Sequence, residues 1–121
     1  MNILVVEDDP NRIAWFKNKI SVGLDICTTA KDAVARVNSK KYDFIFLDHD
    51  LGGRVFVPSE DEETGYTVAK AIAESSNKNT DVIVHSMNPV GAENICRVLP
   101  QALRRPFGTF DLRQVDDDGQ K

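Results

Sequence analysis

Cysteine is scarce in this chain, and basic charge is in the minority. Cys27 and Cys96 stand far apart and form neither a metal-ligand spacing nor a disulfide framework, so both read as reduced, packed thiols. Lys and Arg number 15 against 19 Asp and Glu, a formal net charge of −4. That balance argues against nonspecific binding to duplex DNA or an anionic membrane as the main activity, while an RNA end held in one pocket remains compatible with it. Long apolar runs and a basic leader are also missing, so we expect a cytoplasmic protein with no membrane association. Neither a repeat nor a low-complexity tract occurs. With 41% hydrophobic and 28% charged residues the chain has the balance of a folded domain, and residues 1–121 fit a single one.

What is present is an alternation of short apolar runs and amphipathic stretches. Ile3 to Val6 reads as a first strand that stops at Glu7, Asp8 and Asp9. Asp9 suits an N-cap and Pro10 the first turn of a helix, which continues to about Ile20 with Ile13, Phe16 and Ile20 on one face. Leu24 to Thr28 reads as a second strand. Thr29 opens a second helix whose buried face is Ala30, Ala33, Val34 and Val37. Phe44 to Leu47 is a buried third strand that meets Asp48, His49 and Asp50. A long loop follows over 51–63, with Gly52, Gly53, Pro58 and the acidic run Glu60 to Glu63. A third helix is expected over 64–74, a fourth strand over 81–85, and a short fourth helix from about Gly91 to Val98, stopped by Pro100. A short fifth strand is placed near Leu103, and residues 111–121 read as a frayed acidic tail.

Strand-helix alternation, four times over, predicts an α/β fold: a doubly wound parallel sheet with right-handed crossovers. Ligands in such sheets sit at the carboxyl ends of the strands, beside the switch point, which in strand order 2-1-3-4-5 lies between strands one and three. That order sets Glu7, Asp8 and Asp48 side by side, with Ser86 ending strand four. Clustered carboxylates repel unless a cation joins them, and oxygen donors at this density favour Mg²⁺, Mn²⁺ or Ca²⁺ over zinc. The same letters around Asp48 also suit a strand followed by a solvated acidic turn.

Val-Val-Glu-Asp-Asp-Pro at 5–10, Leu47-Asp48 after an apolar strand, and Ser86 together resemble the receiver domain of two-component response regulators, a flavodoxin-like fold. The resemblance implies that Glu7 and Asp8 are the acidic pair, Asp48 the phosphoacceptor, the backbone carbonyl of Asp50 a further ligand, and Ser86 the switch hydroxyl. Several features depart from it. Leu51 and Gly52 stand where a typical receiver has Met-Pro, and no lysine precedes a proline in the fifth strand. Arg105, in Arg105-Pro106-Phe107, is the candidate replacement, and an arginine fork meets phosphate differently from a lysine. Arg104 and Arg105 also fit a solvated basic pair. The last strand and helix are expected to be short or missing.

A narrower resemblance is carried by Leu-Asp-His-Asp-Leu-Gly at 47–52, Thr-Gly-Tyr at 64–66 and His-Ser-Met-Asn-Pro-Val-Gly-Ala-Glu-Asn at 85–94. These blocks are similar to the cyclic-phosphate processing receiver domains. The resemblance implies a metal-dependent phosphoesterase, using Mg²⁺ or Mn²⁺, that acts on a phosphorylated small molecule or an RNA end. Asp48, His49, His85 and Ser86 are then the candidate catalytic residues, and Glu7, Asp8, Asp48 and Asp50 the candidate metal set. Ser86, Asn88 and Arg105 are the candidate phosphate ligands. An imidazole passes protons near neutral pH, which opening a 2′,3′-cyclic phosphate requires. Strand alternation also allows His85 to face away from Ser86 and pack under a helix, and Asp50 to shape the turn. Two other functions fit the same residues: a signalling receiver phosphorylated on Asp48 by a partner kinase, and a binding module without turnover. An RNA-processing protein is a further candidate partner.

Overall fold

A computed structural model describes residues 1–51 and 56–107. In chain order the elements are β1 (Ile3–Val6), α1 (Pro10–Lys19), β2 (Leu24–Cys27), α2 (Ala30–Ser39), β3 (Phe44–Leu47), α3 (Gly65–Ala73), β4 (Asp81–Val84), α4 (Pro89–Val98) and β5 (Leu103–Arg104). The five strands form one parallel sheet in the order β2-β1-β3-β4-β5, as the alternation predicts. The tail expected over 111–121 lies outside the described residues.

Alternate residues of the central strands go to opposite faces, and both faces are apolar. Leu4 and Val6 of β1, Ile45 and Leu47 of β3 and Val82 and Val84 of β4 pack with α2, α3 and α4. Ile3, Val5 and Phe46 pack on the other face under α1, chiefly against Phe16. Trp15 and Phe107 close that side, their rings edge-on at 5.2 Å. Burying a large apolar side chain fully contributes about 1.5–3 kcal/mol each, so this two-sided burial fixes both the sheet order and the register.

Helix α4 begins two residues earlier than the apolar spacing suggests. Asn88 is its N-cap and accepts from the Gly91 N–H at 3.0 Å, while Pro89 supplies a helical φ at the first position. Helix α2 stops at Ser39, where the Lys40 N–H closes on Arg36 O. The side of the sheet away from the site is clipped by Asn77. Its Oδ1 accepts from Tyr42 N at 2.7 Å and its Nδ2 donates to Val37 O and Lys40 O.

The register sets the site. Val6, Leu47 and Val84 are successive partners across β1, β3 and β4. The ladder then runs one residue further, with Asp48 N–H donating to Val6 O and His85 N–H to Leu47 O. Glu7, Asp48 and His85 therefore leave the sheet at one level.

Candidate functional site

Above the carboxyl ends of β1, β3 and β4 lies a cavity of about 440 Å³, lined by Glu7, Asp8, Asp9, Arg12, Asp48, Asp50, Ser86, Met87 and Asn88, with Pro10 and Phe56 at its sides. Its floor is acidic and buried. Glu7 is 1% exposed and Asp48 5%. Ligand atoms of Glu7, Asp48 and His85 all lie within 4.8 Å of one another.

Glu7 and Asp48 titrate in opposite directions. Burial works to raise Glu7, but the hydrogen bond from His85, the Asp9 N–H and the charge of Arg12 hold it below the usual carboxylate range. Asp48 is pushed up to about 8, first by burial and then by the facing charge of Glu7. Two buried carboxyls this close share a proton when no cation joins them. That is the condition a divalent ion relieves, so the donor set fits the Mg²⁺ or Mn²⁺ expected from the sequence.

The two histidines hold parts of this floor in place. His85 is fully buried on the α1 side, edge-on to Phe16 with the ring centroids 5.5 Å apart. Its Nε2 meets Glu7 Oε1 at 2.9 Å. Burial lowers its pKa against the opposing effect of Glu7, so the ring is neutral and its Nε2–H donates. Strand alternation does turn His85 away from Ser86, and the end of β1 brings Glu7 to meet it there.

His49 is fully buried on the opposite side, beneath α4. Its Nδ1 lies 2.8 Å from Asp50 Oδ1 and its Nε2 2.9 Å from Ser59 Oγ. A methyl group on Gly91 would overlap the ring, so only glycine lets α4 cross here. A side chain on Gly65 would likewise strike the Asp48 carbonyl, and its absence lets α3 start against the end of β3.

Asp50 organises the enlarged loop. Its carboxylate accepts from Phe56 N, Val57 N and Asn88 Nδ2, at 2.6, 3.1 and 3.0 Å. These bonds, with the one to His49, hold its pKa down against the effect of burial. They also hold Phe56 at φ 52, a left-handed conformation that a bulky residue rarely takes. Asn94 braces the same loop by donating to Ser59 Oγ at 2.9 Å.

The structure thus brings Glu7, Asp8, Asp48, Asp50, Ser86 and Asn88 to one cavity. Ser86 is buried, and its Oγ accepts from Asn88 N at 3.0 Å, which leaves the hydroxyl proton to turn towards the cavity. The Asn88 amide already serves Gly91 N, Asp50 and Val57 O. Arg105 is exposed, donates to Arg104 O at 2.9 Å and does not line the cavity. Arg12 does, although the sequence reading does not single it out. The signal lies in its position: Arg12 sits in the first turn of α1, where the helix dipole disfavours a cation.

Residues 3–101 match the family described as the cyclic-phosphate processing receiver domain. No curated protein matches the chain. Solved structures share the fold at low identity. The response regulator TrrA of Thermotoga maritima, solved in complex with Mg²⁺-BeF, superposes with a TM-score of 0.68 at 18% identity, over 99% of this chain and 97% of its own. The receiver domain of a sensor histidine kinase of Pseudomonas aeruginosa, solved with a magnesium ion in its active-site cleft, gives 0.68 at 21% identity, over 94% and 92%. A CheY-like receiver domain of Methanospirillum hungatei gives 0.69 at 12%, over 98% and 90%. Among the described residues, no helix is long and apolar enough to cross a membrane.

Proposed function

Because the chain belongs to the cyclic-phosphate processing receiver domain family, we propose that its acidic cavity is a divalent-metal phosphate site that works as a phosphoesterase on cyclic or terminal phosphates of RNA ends or nucleotides. The observation that carries this reading is the facing pair of Glu7 and Asp48, both buried, with Asp48 raised to about 8. A buried like-charge pair is costly and is kept where a cation is to be held.

Glu7, Asp8 and Asp48 would hold Mg²⁺ or Mn²⁺, which supplies Lewis acidity towards phosphoryl oxygens. The remaining roles belong to the chain. Asp48 sits as ligand or transient nucleophile. Ser86 offers its hydroxyl to a non-bridging oxygen, and the start of α4, beside Met87 and Asn88, favours negative charge. His85 fixes the Glu7 carboxylate, and His49 fixes the loop through Asp50 and Ser59. Both act as positioning groups.

The test is hydrolysis of a short RNA ending in a 2′,3′-cyclic phosphate, with Mg²⁺ or Mn²⁺ and with EDTA. Metal-dependent opening that disappears in Asp48→Asn is expected. A wild type inert with every metal removes the substrate assignment.

A second reading draws on the same cavity, since Asp48 and Ser86 both line it and phosphorylation of Asp48 by a partner kinase would use both. Incubation with acetyl phosphate separates the two. A stable mass gain at Asp48 without RNA opening would favour the signalling receiver.

A further inference from the structure

We propose that Arg12 is the anion-recognition residue of this site, delivering a guanidinium from α1 to two phosphoryl oxygens in place of a cation from the fifth strand. The inference rests on the reading of the cavity as a phosphate site and names the group that reads the phosphate.

Among the described residues that line the cavity, Arg12 is the one cation, set against the carboxylates of Glu7, Asp8, Asp9, Asp48 and Asp50. The basic residue expected from the sequence, Arg105, points elsewhere and bonds the chain's own carbonyl at Arg104.

The guanidinium is oriented but not locked. Its NH1 lies 3.5 Å from Glu7 Oε1 and its Nε 4.0 Å from Asp9 Oδ2. Charge-assisted hydrogen bonds are near 2.7–2.9 Å, so both contacts are long and the donors of the fork keep capacity for a ligand. The plane is supported from behind by the Phe107 ring, with the guanidinium carbon 5.0 Å from its centroid. Phe107 is held in turn by its N–H bond to His85 O and by Trp15 edge-on at 5.2 Å. The side chain is 26% exposed, open enough to meet a ligand and covered enough for its charge to count. That charge already reaches Asp48, whose carboxyl it holds lower than burial and Glu7 alone would.

This geometry selects a ligand class. A planar fork pairs two oxygens at once, whereas an ammonium acts as a point charge. It suits a phosphoryl group with two free non-bridging oxygens, as in a cyclic phosphodiester or a terminal phosphate.

Cation and anion affinities should respond to loss of Arg12 in opposite directions. Removing Arg12 takes a positive charge from beside Glu7 and Asp48, so divalent-ion affinity should stay level or tighten. Phosphoryl affinity should fall.

The experiment titrates wild type, Arg12→Gln and Arg12→Lys first with Mg²⁺, then with beryllofluoride in saturating Mg²⁺. Calorimetry and Trp15 fluorescence are the readouts, and thermal melts show that each variant is folded. Expected for Arg12→Gln is a loss of at least about tenfold in beryllofluoride affinity with Mg²⁺ affinity unchanged or tighter, and Arg12→Lys should recover part of it. Equal beryllofluoride binding by wild type and Arg12→Gln would overturn the inference while leaving the phosphate site standing. Parallel loss of both ligands would also overturn it, as a structural role. A wild type that binds Mg²⁺ but no beryllofluoride would overturn the phosphate reading itself, and the Arg12 assignment with it.

Discussion

His85 donates its Nε2–H to Glu7 Oε1 at 2.9 Å, joining two fully enclosed side chains that lie 78 positions apart. The bond ties the end of β4 to the end of β1 across β3 and aims the Glu7 carboxylate. Among the described residues His85 Nδ1 has no hydrogen-bond partner. With the proton on Nε2, that atom is a bare acceptor among aromatic rings, a cheaper orphan than an unpaired donor. His85→Phe keeps the packing against Phe16 and removes the donor, leaving a buried carboxylate short of a partner. A loss of about 2–4 kcal/mol is expected from urea unfolding in EDTA. Mg²⁺ should restore part of it. A variant as stable as wild type in EDTA would mean that the bond does not hold Glu7.

The pH dependence of the metal-free protein follows from Asp48. A carboxyl raised to about 8 binds its proton more tightly in the folded chain, so this contribution favours folding in acid. It is lost as pH rises from about 4 through about 8. His85 works the other way. Its pKa is lowered chiefly by burial, so stability declines as pH falls below about 6.5. Stability in EDTA should therefore peak slightly on the acid side of neutrality. Asp48→Asn should flatten the alkaline limb, melting roughly 3–8 °C above wild type at high pH and converging with it in acid. Melting curves at a series of pH values decide this. Mg²⁺ competes with the same proton, so its affinity should rise across that window. An affinity independent of pH would sink the proton-sharing account of Glu7 and Asp48.

Gly91→Ala sets helix propensity against packing. Alanine gains about 1 kcal/mol in a helix interior. Here its methyl would overlap the His49 ring, which Asp50, Ser59 and Asn88 pin in place. Overpacking costs about 1–3 kcal/mol, so a net loss is expected. The control is a double-mutant cycle with His49→Ala, which removes the ring. In that background Gly91→Ala should become neutral or stabilising. A penalty unchanged by loss of the ring would place the clash elsewhere.

The elements that were legible from sequence are those set by short-range chemistry. Runs such as Ile3–Val6 and Phe44–Leu47 are apolar at every position, which marks central parallel strands. Caps at Asp9 and Thr29 mark helix starts, and their side chains accept from Asn11 N and Asp32 N. Strand order then follows from the doubly wound pattern, and with it the meeting of Glu7 and Asp48. Long-range partnerships were not legible. Strand alternation shows which way His85 faces, but nothing local says that Glu7 waits there. Arg12 reads as one more polar residue of an exposed helix unless its place in the first turn is weighed against the dipole. Asn77 looks like a turn residue, although its side chain clips three distant backbone groups, one in α2 and two in the connection that follows it. The loop closure through His49, Ser59 and Asn94 likewise depends on α4 lying close, which Gly91 permits.

Asp50 separates two roles that the sequence leaves open, metal ligand and turn former. Its side chain accepts from Phe56 N, Val57 N and Asn88 Nδ2, and it lies within 2.8 Å of His49 Nδ1. That pattern belongs to a turn, and the left-handed φ of Phe56 depends on it. Asp50→Ala should release Phe56 and Val57, speed amide hydrogen exchange at both, and lower stability by about 1–3 kcal/mol. Mg²⁺ affinity should change only a few-fold, through the altered cavity wall. If the carboxylate were itself a ligand, Mg²⁺ binding would collapse while exchange at Phe56 and Val57 stayed slow. Exchange followed by mass spectrometry, beside a Mg²⁺ titration of the same sample, reads both quantities at once. The prediction for Phe56 is the sharper of the two, because a strained residue freed from its acceptors has an extended conformation to fall into and no reason to return.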